Sequence, residues 1–225
     1  MTRHWIAARR RAQRGGSAVE FALLTVVWLP LLLGALAIGT GMIRGLETVQ
    51  LARDVGHMYA LGVDFSLAAN QTMATRLGRN LGLQTSGGSG VVILSAITYI
   101  GVYQCKALGL ADNSTPPVPY SSCTNYKHFV FTQRLKIGNT ALRQSNFGNP
   151  NTGLVDAGTG YISASDYVKK SGARADSFTL LPKPKEDGTD GFQAGQFAYL
   201  VEAYFQAPDF PGFMTAWGTY SHALF

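Results

Sequence analysis

Residues 9–44 read RRRAQRGGSAVEFALLTVVWLPLLLGALAIGTGMIR. Arg3, Arg9, Arg10, Arg11 and Arg14 precede Gly15 and Gly16, and Glu20 is the single acid at the head of an uncharged apolar run, residues 21–43. A helix over that run, at 1.5 Å per residue, is about 35 Å long and crosses the ~30 Å hydrocarbon core of a bilayer. Pro30 removes one helical N–H and is expected to kink the helix, which a membrane helix tolerates. Gly34, Gly39, Gly41 and Gly45 offer either a close-approach surface for a second helix or lipid-facing positions of no special role.

The charge pattern fixes how the rest is read. Five of the 19 basic residues precede Gly15, which leaves 14 against 13 acids in the remainder. The net charge of +6 is therefore mostly a property of the leader. A nucleic-acid-binding domain needs its basic stripe on the folded part, so no nucleic-acid partner is expected. A basic leader before an apolar run follows the positive-inside rule and keeps the leader cytoplasmic. About 180 residues remain beyond the anchor, enough for one domain with a core. Apolar content of 46% and charged content of 14% exclude a disordered chain.

On the residues alone, three readings of the opening segment stay open. Ala35-Leu36-Ala37 has the form of a signal-peptide cleavage site, although the apolar run continues past it. A plain uncleaved anchor is the second. Neither accounts for Glu20, since a carboxylate at the start of a membrane helix is costly to bury. In the third, the order of basic leader, Gly15, Gly16-Ser17-Ala18-Val19-Glu20-Phe21 and long apolar helix resembles the class III signal of type IV pilin-like proteins. RGGSAVEFAL in particular resembles the N-terminus of the TadE-like minor pilins of Tad/Flp-type systems, over residues 9–60.

That resemblance implies a prepilin peptidase cut between Gly15 and Gly16, making Glu20 the fifth residue of the mature chain. It implies as partners the peptidase, other pilin-like subunits and Tad assembly machinery. It also implies a single-pass protein of the bacterial inner membrane, N-terminus cytoplasmic and C-terminal domain periplasmic or extracellular. Residues 1–15 are then a cleaved leader, 16–62 the transmembrane helix and its extension, and 63–225 an extracytoplasmic α+β domain. Cleavage creates an α-ammonium at Gly16 that the Glu20 of a neighbouring subunit can neutralise, and an unpaired charge in low dielectric makes such a pair selective for axial register. The simpler role for Glu20 is an acid favoured by the helix macrodipole.

Beyond the anchor the pattern predicts an α+β fold: the long N-terminal helix continues and packs on an antiparallel sheet. Leu46, Val49, Val55, Met58 and Tyr59 recur at helical spacing to about Leu61, with a break at Gly62. A second helix is expected over 67–81, capped by Asp64 or Ser66, with Leu67, Met73, Leu77 and Leu81 as its apolar stripe. Strands are expected over 91–103, 127–137 and 196–206, with a short helix near 140–144, a short helix or edge strand over 161–169 and a short strand over 178–181. In the second strand Phe129, Phe131, Leu135 and Ile137 alternate with His128, Thr132, Arg134 and Lys136, which predicts one buried and one wet face. The aromatic tail over 210–225 is expected to cover a core edge, with partner binding as its alternative.

Cys105 and Cys123 are the two cysteines, and an even count in a translocated domain predicts one disulfide. Their loop holds Pro116, Pro117, Pro119 and Asp112-Asn113-Ser114. The run 187–191, DGTDG, lacks the further acids of a calcium loop. No G-x-S-x-G, H-E-x-x-H, P-loop or dinucleotide fingerprint occurs, and His57, His128 and His222 lie far apart. An enzyme, a cofactor and a metal site are not expected. The alternative to a pilin-like subunit is a signal-anchored periplasmic binding or sensory module.

Overall fold

The computed structural model describes residues 3–110, 122–184, 192–207 and 218–225, and in the first helix it describes side chains from residue 16. The cysteine-loop prolines, the run 187–191 and the aromatic residues over 210–217 lie outside the described residues. Helix α1, Arg3–Ala60, is continuous through Pro30. By contacts the chain divides into Met1–Ile43 and Arg44–Phe225. The last turns of α1 thus belong to the folded unit.

The first unit is the apolar helix. Its large side chains are exposed: Phe21 at 72% and Trp28 at 66% bracket a surface with nothing packed on it among the described residues. Thr25 and Thr40 turn their hydroxyls back onto the carbonyls of Phe21 and of Leu36 and Ala37, which removes their polarity from the helix surface.

In the second unit the end of α1 packs on a four-stranded antiparallel sheet of order β2-β1-β3-β4, comprising β1 (Gly90–Tyr99), β2 (Phe129–Gly138), β3 (Phe197–Gln206) and β4 (Gly218–Leu224). The fold is α+β. Thr48, Leu51, Ala52, Val55 and Tyr59 form the buried stripe of α1. They meet Val92, Leu94 and Ala96 of β1, Leu135 and Ile137 of β2, and Val201, Ala203 and Phe205 of β3. Of the expected stripe Val55 and Tyr59 are buried and Met58 is partly so, whereas Leu46 and Val49 are exposed; Thr48, Leu51 and Ala52 carry the contact instead. Gly56 must stay small, because a Cβ there would lie 2.2 Å from a Phe225 ring carbon. Phe225 is held on the sheet by paired backbone hydrogen bonds with Tyr199, and its ring meets His57 edge-on. Thr48 and Thr219 hydroxyls bond at 2.9 Å, tying α1 to β4.

The break falls where expected: Leu61 and Gly62 close the helix, and Gly62 at φ 88° takes the left-handed turn that glycine favours. Helix α2, Ala68–Leu77, is shorter than 67–81, and a separate turn, Arg79–Leu81, follows. Leu67 is its N-cap, and Asp64 instead accepts from the Ser66 N–H one turn earlier. Leu67, Met73 and Leu77 are about half exposed, so only Leu81 of the expected stripe is buried.

Three further corrections concern the sheet. Strand β1 ends at Tyr99, and Val102–Ala107 is helix α3. The tail forms an edge strand from Gly218. Strand β2 does not have a wet face: Thr132, Gln133 and Arg134 are buried. Both faces of β2 are covered by packed residues, and a bulge decides which residues face each. Ala96 pairs with Gln133 and Ile97 with Phe131, so Thr132 is an extra residue, and its hydroxyl donates to the Ala96 carbonyl. Past the bulge the faces exchange. Leu135 and Ile137 lie under α1, whereas Phe129 and Phe131 join a second core on the opposite face.

That second core is closed by the irregular segment after β2. Phe147, Ile162, Ala173, Ala175 and Phe178 cover Ile97, Tyr99, Phe129, Phe131 and Leu200. The segment holds helix α4, Ala164–Lys169, capped by Ser163, and Tyr161 bridges to Gln133. Neither 140–144 nor 178–181 forms a regular element. Gly56→Val should lower Tm by roughly 2–12 °C, the consequence of an overpacking cost of about 1–3 kcal/mol in a domain this size. Adding Phe225→Ala should recover part of the loss in a thermal melt.

Candidate functional sites

Gly15 and Gly16 lie inside α1, and no atom falls within 4 Å of a Cβ built at Gly16. Each glycine costs a helix about 1 kcal/mol relative to alanine, so the pair weakens α1 locally. Glu20, four residues on, is exposed and has no hydrogen-bond or ion-pair partner among the described residues. Gly34, Gly39 and Gly45 are likewise open. Pro30 sits within a continuous helix, and its ring leaves the carbonyl one turn earlier without an N–H partner.

Cys105 and Cys123 form a disulfide with Cα atoms 5.8 Å apart. The bridge is buried with Ile100, Val130 and Val168 and joins α3 to the segment before β2. Beside it, buried Asn125 donates to the carbonyls of Tyr167 and Lys170 and accepts from Arg174 Nε at 2.9 Å. His57, His128 and His222 do not gather: His57 meets Phe225, His128 lies 3.2 Å from Asp176, and His222 meets Phe147 edge-on. No metal-ligand cluster occurs among the described residues.

Two charges are deeply buried, and the alternation of β2 had placed one of them, Arg134, in water. Glu202 of β3 is 1% exposed and Arg134 of β2 is 6% exposed. Glu202 accepts from the Ser145 hydroxyl, from the Asn146 N–H at 2.9 Å and from the Tyr220 hydroxyl at 2.8 Å. Arg134 approaches it at 3.9 Å, donates to the Gly148 carbonyl and stacks on Phe131. Burial lowers the Arg134 pKa to about 10, with Glu202 opposing the shift, so the guanidinium stays charged at neutral pH. Burial and the bond to Glu202 raise the Tyr220 pKa. This network pins the 145–148 turn to the sheet. Charged residues in an alternating strand carry no sequence mark of burial, so the pair was not legible beforehand.

Two concavities flank this region. One, of ≈420 Å³, lies along β2 at Arg134–Lys136 and is walled by Asn149, Thr152 and Asp156. Asp156 is saturated by the Gly158 and Thr159 N–H groups and the Thr159 hydroxyl. The other, of ≈260 Å³, opens at the end of α1 and is lined by Tyr59, Tyr161, Phe197, Tyr199, Asp64 and Gln133, with Gly62, Val63, Ala96 and Thr132. Tyr59 donates to Gln133 Oε1 at 2.7 Å. Burial, and then the neighbouring Tyr161 and Tyr199, raise its pKa far above the usual 10.0.

Glu202→Ala should cost about 3–5 kcal/mol, because it strands a buried guanidinium, and the pair Glu202→Ala with Arg134→Met should recover much of that in denaturant melts. Tyr59 gives a pH signature. A group whose pKa is raised on folding contributes stability that is present below pH 10 and lost as pH climbs above it. Stability measured from pH 9 to 12 should therefore fall less steeply in Tyr59→Phe than in the parent.

No protein-family model, curated protein or solved structure matches this chain.

Proposed function

We propose that this chain is a pilin-like minor subunit of TadE-like type, which serves assembly of a Tad/Flp-type pilus or secretion system from a single-pass anchor in the bacterial inner membrane. The observation that carries the reading is Glu20: a lone carboxylate, exposed and unpartnered among the described residues, at the head of a helix whose apolar surface is also exposed. An exposed apolar surface of this extent calls for lipid or other helices, and a carboxylate at its edge calls for a cation. Cleavage between Gly15 and Gly16 generates that cation on each subunit. The Glu20 carboxylate of one subunit then meets the Gly16 ammonium of the next and fixes their stagger. In this reading the prepilin peptidase unwinds α1 at its glycine pair, the leader with its arginines stays in the cytoplasm, and the folded unit stands outside. The protein acts by assembly and performs no chemistry.

The cavity at Tyr59 favours a second reading, a signal-anchored periplasmic binding or sensory module. Mass spectrometry of the mature protein separates the two. The assembly reading expects an N-terminus at Gly16; a start at Ile38 or at an intact leader overturns it. Glu20→Ala should leave cleavage and membrane insertion intact and reduce recovery in assembled material at least tenfold.

A further inference from the structure

We propose that the ≈260 Å³ cavity at the end of α1 binds an alkylated ammonium group, of the kind carried by choline. Its walls come from separate stretches of the chain: Tyr59 from α1, Asp64 from the turn after it, Gln133 from β2, Tyr161 from the segment after β2, and Phe197 and Tyr199 from β3.

The rings are arranged to leave space. Tyr59 and Tyr199 meet edge to face at 5.0 Å, and Phe197 lies tilted beside Tyr199 at 6.5 Å. Tyr161 makes no ring contact among the described residues and is 52% exposed; Phe197 is 49% exposed. Aromatic side chains of this size are normally drawn into contact or into the core. Here two stand half uncovered at the mouth of a shared cavity. Aromatic faces are the negative pole of the ring quadrupole, so rings around one space attract a cation.

The charge pattern agrees. Asp64 lines the cavity, and among the described residues no lysine, arginine or histidine does, although the charge of Arg134 reaches Tyr59. Among the described residues only one Asp64 oxygen is engaged, by the Ser66 N–H. The C-terminal end of α1, the negative pole of a 58-residue helix, adds to the same sign.

The polar groups decide which cation. A primary ammonium brings three donors and a tight hydration shell and needs acceptors in return. The cavity offers it the second Asp64 oxygen, but Gln133 Oε1 already accepts from Tyr59 and four of the lining side chains are rings. A methylated ammonium has no N–H to satisfy and spreads its charge over methyl groups that pack against rings. The cavity is smaller than the roughly 300–1,000 Å³ typical of drug-sized ligands, which suits a head group. This site stands on the cavity and is independent of the assembly reading.

The test is a titration of the full chain in a nonionic detergent with choline, followed by ligand-observed NMR, beside its uncharged carbon isostere 3,3-dimethylbutan-1-ol. Choline is expected to bind at millimolar concentration or below, and the isostere at least tenfold more weakly. Tyr161→Ala and Phe197→Ala should each weaken choline about threefold to thirtyfold, and Asp64→Asn should weaken it too, with thermal melts retained because the two rings are half exposed. Absence of choline binding, equal binding of the isostere, or unchanged binding in all three folded variants overturns the proposal. Repeating the titration with phosphatidylcholine added to the micelles assigns the source: competition indicates a lipid head group, and its absence a free small molecule.

Discussion

Thr48, Leu51, Ala52, Val55 and Tyr59 recur on one face of α1 and lie against the inner face of the sheet. The rest of the folded unit depends on that contact. Every strand under the helix must offer a side chain of matching depth, and Gly56 must stay small for Phe225 to lie on it. The same helix presents bulky apolar residues over 21–43 with nothing on them among the described residues. One continuous element thus meets two demands. Where its surface is large and apolar all round it suits lipid or helix neighbours, and where it is small on one stripe it suits a sheet.

The opposite face of the sheet is organised by polarity. Glu202 and Arg134 are buried together, and the carboxylate is completed by Ser145, Asn146 and Tyr220. A buried ion pair of this kind is a weak source of net stability but penalises every alternative in which one partner is unpaired. Its effect here is to fix the path of the turn that carries Phe147 into the second core. A segment rich in Asn, Gly and Pro therefore serves as a packed layer.

The two proposals also divide along α1. Near its start Glu20 stands unpartnered among the described residues, and near its end Tyr59 closes an aromatic cavity that also holds Asp64. Each place has a negative group without a matching cation among the described residues, and the two proposals assign them different cations. A terminal ammonium in a low-dielectric helix bundle suits a bare carboxylate. A diffuse, methylated charge suits aromatic faces.

The long apolar helix, the break at Gly62, three of the strands, the disulfide and the α+β class were legible in the sequence, because each follows from local composition, periodicity or parity. The tertiary structure alone decided which face of each element is buried. The bulge at Thr132 reversed the parity of β2, so that Phe129 and Leu135, alike in sequence phase, entered different cores. It also decided that residues at the tail pair as a fourth strand, that Leu67, Met73 and Leu77 stay exposed, and that Tyr59, Tyr161 and Phe197 share a cavity. An alternation states that two faces differ, but the partner that covers each face comes from distant parts of the chain, and one extra residue exchanges them.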